Sequence, residues 1–133
     1  MGEETLVKDV LTDSMIAAGQ ALTDVLEQRE WPFIAAFWLY DWESNRWRLV
    51  FASSVVDQKG LIAAYGEVLP EIDDKNSFAL DWTAVRLVSP KDRYVRELLE
   101  LVDRGLHIDG RRVRSGAVED SYVYRVRPTA SAA

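Results

Sequence analysis

Eight consecutive apolar residues, Phe33-Ile34-Ala35-Ala36-Phe37-Trp38-Leu39-Tyr40, govern what this chain can fold into. Successive side chains of a strand point to opposite faces, and this run is apolar on both parities. Such a strand belongs in the interior of a sheet that is covered on both sides. It is far short of the roughly 20 residues that a membrane helix needs. A second run, Trp47-Arg48-Leu49-Val50-Phe51-Ala52-Ser53, follows the polar turn Glu43-Ser44-Asn45-Arg46. Run, turn and run together predict an antiparallel hairpin.

Around that hairpin the periodicity is helical. Val7, Leu11, Met15, Ala18, Leu22 and Val25 form one stripe of a helix expected from about Thr5 to Arg29, ending before Trp31-Pro32. Asp57 is expected to cap a second helix with Leu61, Ala64, Tyr65, Val68 and Leu69 inward, and Pro70 to end or bend it. Residues 72–77 read as a polar loop and Trp82–Val88 as a strand, with Trp82, like Trp38, in the core. Ser89-Pro90 starts a third helix with Val95, Leu98, Leu99 and Val102 inward, and Gly105-Leu106 stops it. Turns at Asp109-Gly110 and Glu119-Asp120 leave Arg111–Val118 and Ser121–Arg127 as a terminal hairpin.

The order α-β-β-α-β-α-β-β predicts an α+β fold. Residues 1–127 are expected to form a single layered domain, three helices packing on at least one face of a largely antiparallel or mixed sheet of about five strands. Residues 128–133, Pro-Thr-Ala-Ser-Ala-Ala, have nothing to bury and are expected to be a disordered tail.

Composition narrows the chemistry. The 133 residues contain no cysteine and one histidine, which removes disulfides, thiolate metal sites, cysteine nucleophiles and His-rich metal clusters. The acidic start Met1-Gly2-Glu3-Glu4 is unlike a signal peptide, so a cytoplasmic protein with no membrane contact is expected. The net charge of −6 disfavours a dedicated polyanion binder. Residues 1–80 hold 6 Lys/Arg against 14 Asp/Glu, whereas residues 81–133 hold 10 against 8. That asymmetry makes Arg111, Arg112, Arg114, Arg125 and Arg127 candidates for anion binding, with Tyr122 and Tyr124 as stacking partners.

The segments Ala36–Asp41 and Trp47–Ser53, then Val56-Asp57, Gly60, Ser89-Pro90 and the tyrosine-rich last strand, resemble a group of small uncharacterised bacterial proteins. The motifs that carry the resemblance are strand residues, a turn and a helix cap. It implies no activity, substrate or catalytic residue.

No reaction site meets its geometric requirements in the sequence. His107 and Asp109 are two apart and offer an acid/base pair, but no serine elbow accompanies them. Glu71, Asp73, Asp74 and Lys75 carry the acid-x-Lys spacing of a nuclease in a stretch that reads as a loop, not a strand. The glycines form no phosphate cradle. Neither a cofactor nor a metal is expected. The leading expectation is a non-catalytic protein-interaction module: an adaptor, an antitoxin- or immunity-like protein, or an assembly subunit. It would bind a protein partner or a second copy through Trp31, Trp42 and Trp47, since tryptophan and arginine dominate interface hot spots. The alternative is a nucleic-acid or phosphorylated-ligand binding protein or enzyme that uses the terminal arginines.

Overall fold

The computed structural model describes residues 9–74, 80–115 and 118–127. Among them are four α-helices and one five-stranded mixed sheet, an α+β arrangement. In chain order these are α1 (Asp13–Gln28), β1 (Ala35–Asp41), β2 (Arg46–Ala52), α2 (Ser54–Lys59) and α3 (Leu61–Asp74). After a 3-10 turn at Trp82–Ala84 come β3 (Val85–Val88), α4 (Arg93–Asp103), β4 (Arg111–Ser115) and β5 (Val118–Val126). The strand order is β3-β2-β1-β5-β4, with β2 and β3 parallel and the other neighbours antiparallel.

The apolar run thus supplies the central strand. Even-numbered Ala36, Trp38 and Tyr40 join Leu49 and Phe51 beneath Leu22 and Leu26 of α1, Val55 of α2, and Ala64 and Val68 of α3. Odd-numbered Ala35, Phe37 and Leu39 join Val50 and Val123 against Val95, Leu98 and Leu101 of α4. Each large side chain enclosed this way contributes about 1.5–3 kcal/mol, so both parities of β1 must be apolar.

Several boundaries differ from the sequence expectation, and local hydrogen bonding explains each. Residues 9–12 are not helical, because the Thr12 hydroxyl accepts the Met15 N–H and starts α1 there. The second helix is divided in two: Ser53, not Asp57, caps α2 through the Val55 N–H, and Gly60 at φ 92° separates it from α3. Asp57 instead accepts from the Ser89 hydroxyl at 3.1 Å. Pro70 lies inside α3, which continues through residues expected to be loop as far as Asp74. Ser89 holds a turn through the Lys91 N–H, while the Asp92 carboxylate accepts the N–H groups of Tyr94 and Val95 and caps α4. A carboxylate also favours that end of the helix dipole. The far end of α4 follows expectation: Gly105 at φ 90° donates to Val102 and Leu106 to Leu101, a left-handed stop. Glu119 and Asp120 lie within β5 and are not its turn. The expected start of the first helix at Thr5, Lys75 and the tail after Arg127 fall outside the described residues.

One buried hydrogen-bond chain joins α1 to the middle of the sheet. The Trp38 indole donates to the Tyr124 hydroxyl at 2.8 Å, and that hydroxyl donates to the Ile16 carbonyl at 2.5 Å. Trp38 pairs with Tyr122 and Phe37 with Val123, so alternation places Tyr124 on the α1 side beside Tyr122; the register then shifts, with Ala36 opposite Arg125. Space comes from Gly19 of α1, where a Cβ would lie 2.3 Å from the Tyr124 oxygen and 2.8 Å from Trp38 Nε1.

Two predictions follow from this contact. Glycine-to-alanine in a helix interior ordinarily stabilises by up to about 1 kcal/mol; Gly19→Ala should instead destabilise by roughly 1–3 kcal/mol through overpacking. Tyr124→Phe strands the buried Trp38 donor and should cost about 1–3 kcal/mol. Urea unfolding of both variants checks this, and wild-type stability in either would contradict it. Burial also pushes the Tyr124 phenol well above its ordinary value. A raised folded pKa means stability fully present below the unfolded value of about 10 and lost as pH rises beyond it. Urea midpoints should therefore fall above that pH, and less steeply in Tyr124→Phe.

Candidate functional site

The turn between β1 and β2 is built around Asp41. Its carboxylate accepts the Glu43 N–H at 3.0 Å and the Ser44 hydroxyl at 2.8 Å, while Asn45 adopts φ 56°. Burial alone would raise the Asp41 pKa; the Ser44 hydroxyl, the N–H groups of Glu43 and Ser44, and the nearby Arg86 charge outweigh it and hold it below the ordinary value. This turn presents Trp42 outward. Its ring stands edge-on to Tyr40 at 4.7 Å yet is 60% exposed.

A second tryptophan is presented in the same region by a different device. The Asp81 carboxylate accepts both the hydroxyl and the N–H of Thr83, at 2.7 and 3.0 Å, and Arg46 reaches it at 3.2 Å. These bonds hold Asp81 below its ordinary pKa, the Thr83 hydroxyl contributing most. They close the 3-10 turn that leaves Trp82 54% exposed.

Arg48 and Arg86 lie between the two rings. Arg48 pairs with Asp41 at 3.5 Å and donates to the Thr83 carbonyl at 2.8 Å. Both arginines line a cleft of about 370 Å³ with Asp41, Trp42, Arg93 and Tyr94. Both also line an adjoining depression of about 480 Å³ with Tyr65, Leu69 and Trp82. Arg86 and Arg93 are exposed and have no carboxylate at ion-pair distance among the described residues.

The residues singled out in the sequence are dispersed by the fold. Trp47 is only 3% exposed; its N–H donates to the Asp9 carbonyl, and it pairs across the hairpin with Tyr40, not Trp42. Trp31 is half-buried and donates to Glu67 of α3 at 2.8 Å, so it does not share a cleft with Trp42. Trp82, expected in the core, joins Trp42 on the surface. The signal available for it was Asp81-x-Thr83, a capping pattern that delays the strand to Val85.

The terminal arginines are largely matched by acids. Arg125 and Arg127 both pair with Glu27 of α1. Arg112 and Arg114 approach the buried Asp120 at 3.8 and 3.9 Å, and Arg112 lies 5.8 Å above the Trp47 ring. Arg111 is exposed. Arg125 shares the α1 side with the tyrosines because of the register shift, against the alternation expected of that hairpin. His107 is exposed, while Asp109 accepts the Val126 N–H at 3.2 Å and so holds the end of β5. Glu71 is buried and pairs with Arg29. Among the described residues, no group of three or more His, Cys, Asp or Glu is placed to hold a metal, and no helix is long and apolar enough to cross a membrane.

Comparisons with protein-family models, curated proteins and solved structures find no match to this chain.

Asp41 and Asp81 together supply a test of how firmly the two turns are held. Their lowered pKa values imply stability present above the unfolded value and lost as pH falls. A carboxyl-carbon NMR titration should place both midpoints below about 3.9, the ordinary aspartate value. Midpoints at or above that value would show that the turns are not held by these bonds.

Proposed function

We propose that the protein is a non-catalytic interaction module that binds a protein partner through the surface between Trp42 and Trp82. The observation that carries this reading is two exposed tryptophans on fixed turns, flanking Arg48 and Arg86 in two adjoining depressions. Tryptophan and arginine are the residue types most enriched at interface hot spots, and an anchor held rigid before binding loses little entropy on docking.

The edges of the sheet favour side-chain recognition over strand addition. The Tyr65 hydroxyl accepts the Leu87 N–H of edge strand β3 at 3.0 Å, and the opposite edge strand, β4, carries Arg111, Arg112 and Arg114. Binding of a nucleic acid or phosphorylated ligand at the terminal hairpin has less support. Arg112, Arg114, Arg125 and Arg127 would have to leave Asp120 or Glu27 to meet phosphate.

Affinity capture from native lysate, with and without nuclease, should recover a protein partner that survives nuclease treatment. In calorimetry with that partner, Trp42→Ala should weaken binding by about 2 kcal/mol with little change in folding. Binding unchanged in both Trp42→Ala and Trp82→Ala, or lost only after nuclease, would overturn the reading.

A further inference from the structure

The cleft beside Trp42 has a charge arrangement that goes beyond a general contact surface. Asp41 and Arg48 form a pair at 3.5 Å and largely cancel. Arg86 from β3, whose charge also acts on Asp41, and Arg93 from the first turn of α4, which follows Asp92, enter the same cleft as two exposed guanidinium groups. Glu43 adds a second lining carboxylate. Arg93 is braced by Tyr94: it donates to the hydroxyl at 3.3 Å and lies 5.0 Å from the ring centroid. The remaining surface is aromatic and apolar, from Trp42, Tyr94 and Leu39. Among the side chains that line the cleft three arginines meet two carboxylates, and with Asp92 close behind Arg93 the weak positive balance suits one carboxylate better than a dianionic phosphate. Arginine forks match carboxylates in planar, bidentate geometry.

We propose that this cleft recognises an acidic peptide segment, placing a glutamate or aspartate carboxylate between Arg86 and Arg93 and an adjacent apolar or aromatic side chain on Trp42. The proposal rests on the interaction reading above and names the partner's chemistry. At about 370 Å³ the cleft accommodates two or three side chains but not a folded domain, so the partner would insert a short segment. The protein's own net charge of −6 repels an acidic partner at long range. Association should therefore accelerate with added salt, while the contact itself weakens once the charges are screened.

The test titrates the full chain with acetyl-Glu-Phe-Glu-amide, acetyl-Gln-Phe-Gln-amide and inorganic phosphate. NMR follows the Trp42 indole and the Nε groups of Arg86 and Arg93. The acidic peptide should shift all three saturably, the glutamine peptide should bind at least tenfold more weakly, and phosphate should compete only weakly. An Arg86→Gln/Arg93→Gln variant should lose at least tenfold in affinity for the acidic peptide; Arg93→Gln alone, on the exposed side, controls for folding and should lose part of it. Equal binding of both peptides, unchanged binding by the double variant, phosphate binding as tightly as peptide, or no saturable shift would each overturn the proposal. Measurements with the captured partner separate this failure from that of the interface. Loss of partner binding in Trp42→Ala but not in the double arginine variant leaves the interface standing and removes the acidic segment. Partner binding unaffected by either tryptophan substitution removes the interface itself.

Discussion

A buried indole N–H has to find an acceptor, and here the acceptor arrives from the far end of the chain. Trp38 sits at the centre of the central strand, 1% exposed, where an unmet donor would cost as much as a sizeable part of a domain's net stability. Tyr124 meets it and donates its own hydroxyl hydrogen bond to the Ile16 carbonyl, so a single hydroxyl ties β1, β5 and α1 together. The glycine in α1 leaves the room that this oxygen occupies. Beyond Tyr124 the register of β5 shifts, and that shift turns Arg125 toward Glu27.

The sequence announced whatever depends on periodicity. The two-faced apolar run, the first hairpin and much of each helix stripe can be read from spacing, because burial imposes a repeat of 2 or 3.6. Leu61, expected inward, is nevertheless half exposed, and Leu26 and Leu101 are buried outside the expected stripes. The Gly105 stop follows from residue type. It was silent where one polar contact competes with another. Ser89, Asp92, Ser53 and Asp57 are all good caps by residue type, and only their three-dimensional neighbours choose among them. The inserted residue in β5 is invisible for a similar reason. It reverses the alternation on which strand reading relies, so the arginines and tyrosines of the last strand share a side that their numbering does not suggest. The candidate surface suffered most. Trp42 can be found from its place in a polar turn, but Trp47 and Trp82 exchange the roles their flanking residues imply, because one points under α1 and the other rides on a 3-10 turn.

The same economy shapes the exterior. Asp41 and Asp81 each accept two hydrogen bonds from within their own turn, and each turn holds a tryptophan out of the core. Arg46 and Arg48 of β2 bridge these turns to the strand between them. The two aromatic rings therefore sit on short, internally bonded supports and not on long loops. A surface of that kind presents its anchors in nearly fixed positions and discriminates among partners by shape as well as by charge.

The link between Trp38 and Tyr124 spans 86 residues, and that separation has a consequence during synthesis. At bacterial or eukaryotic elongation rates of about 5–20 residues per second, β5 follows β1 from the ribosome by roughly 4–17 s. Throughout that interval the central strand can pair with β2 on one side only, and its other edge is an apolar template open to any passing strand. Long-range pairings of this sort form slowly because loop closure must precede the reward. A nascent chain of this protein is thus exposed to misassembly until β5 has been made, and the emergence of that strand is the event that closes the sheet.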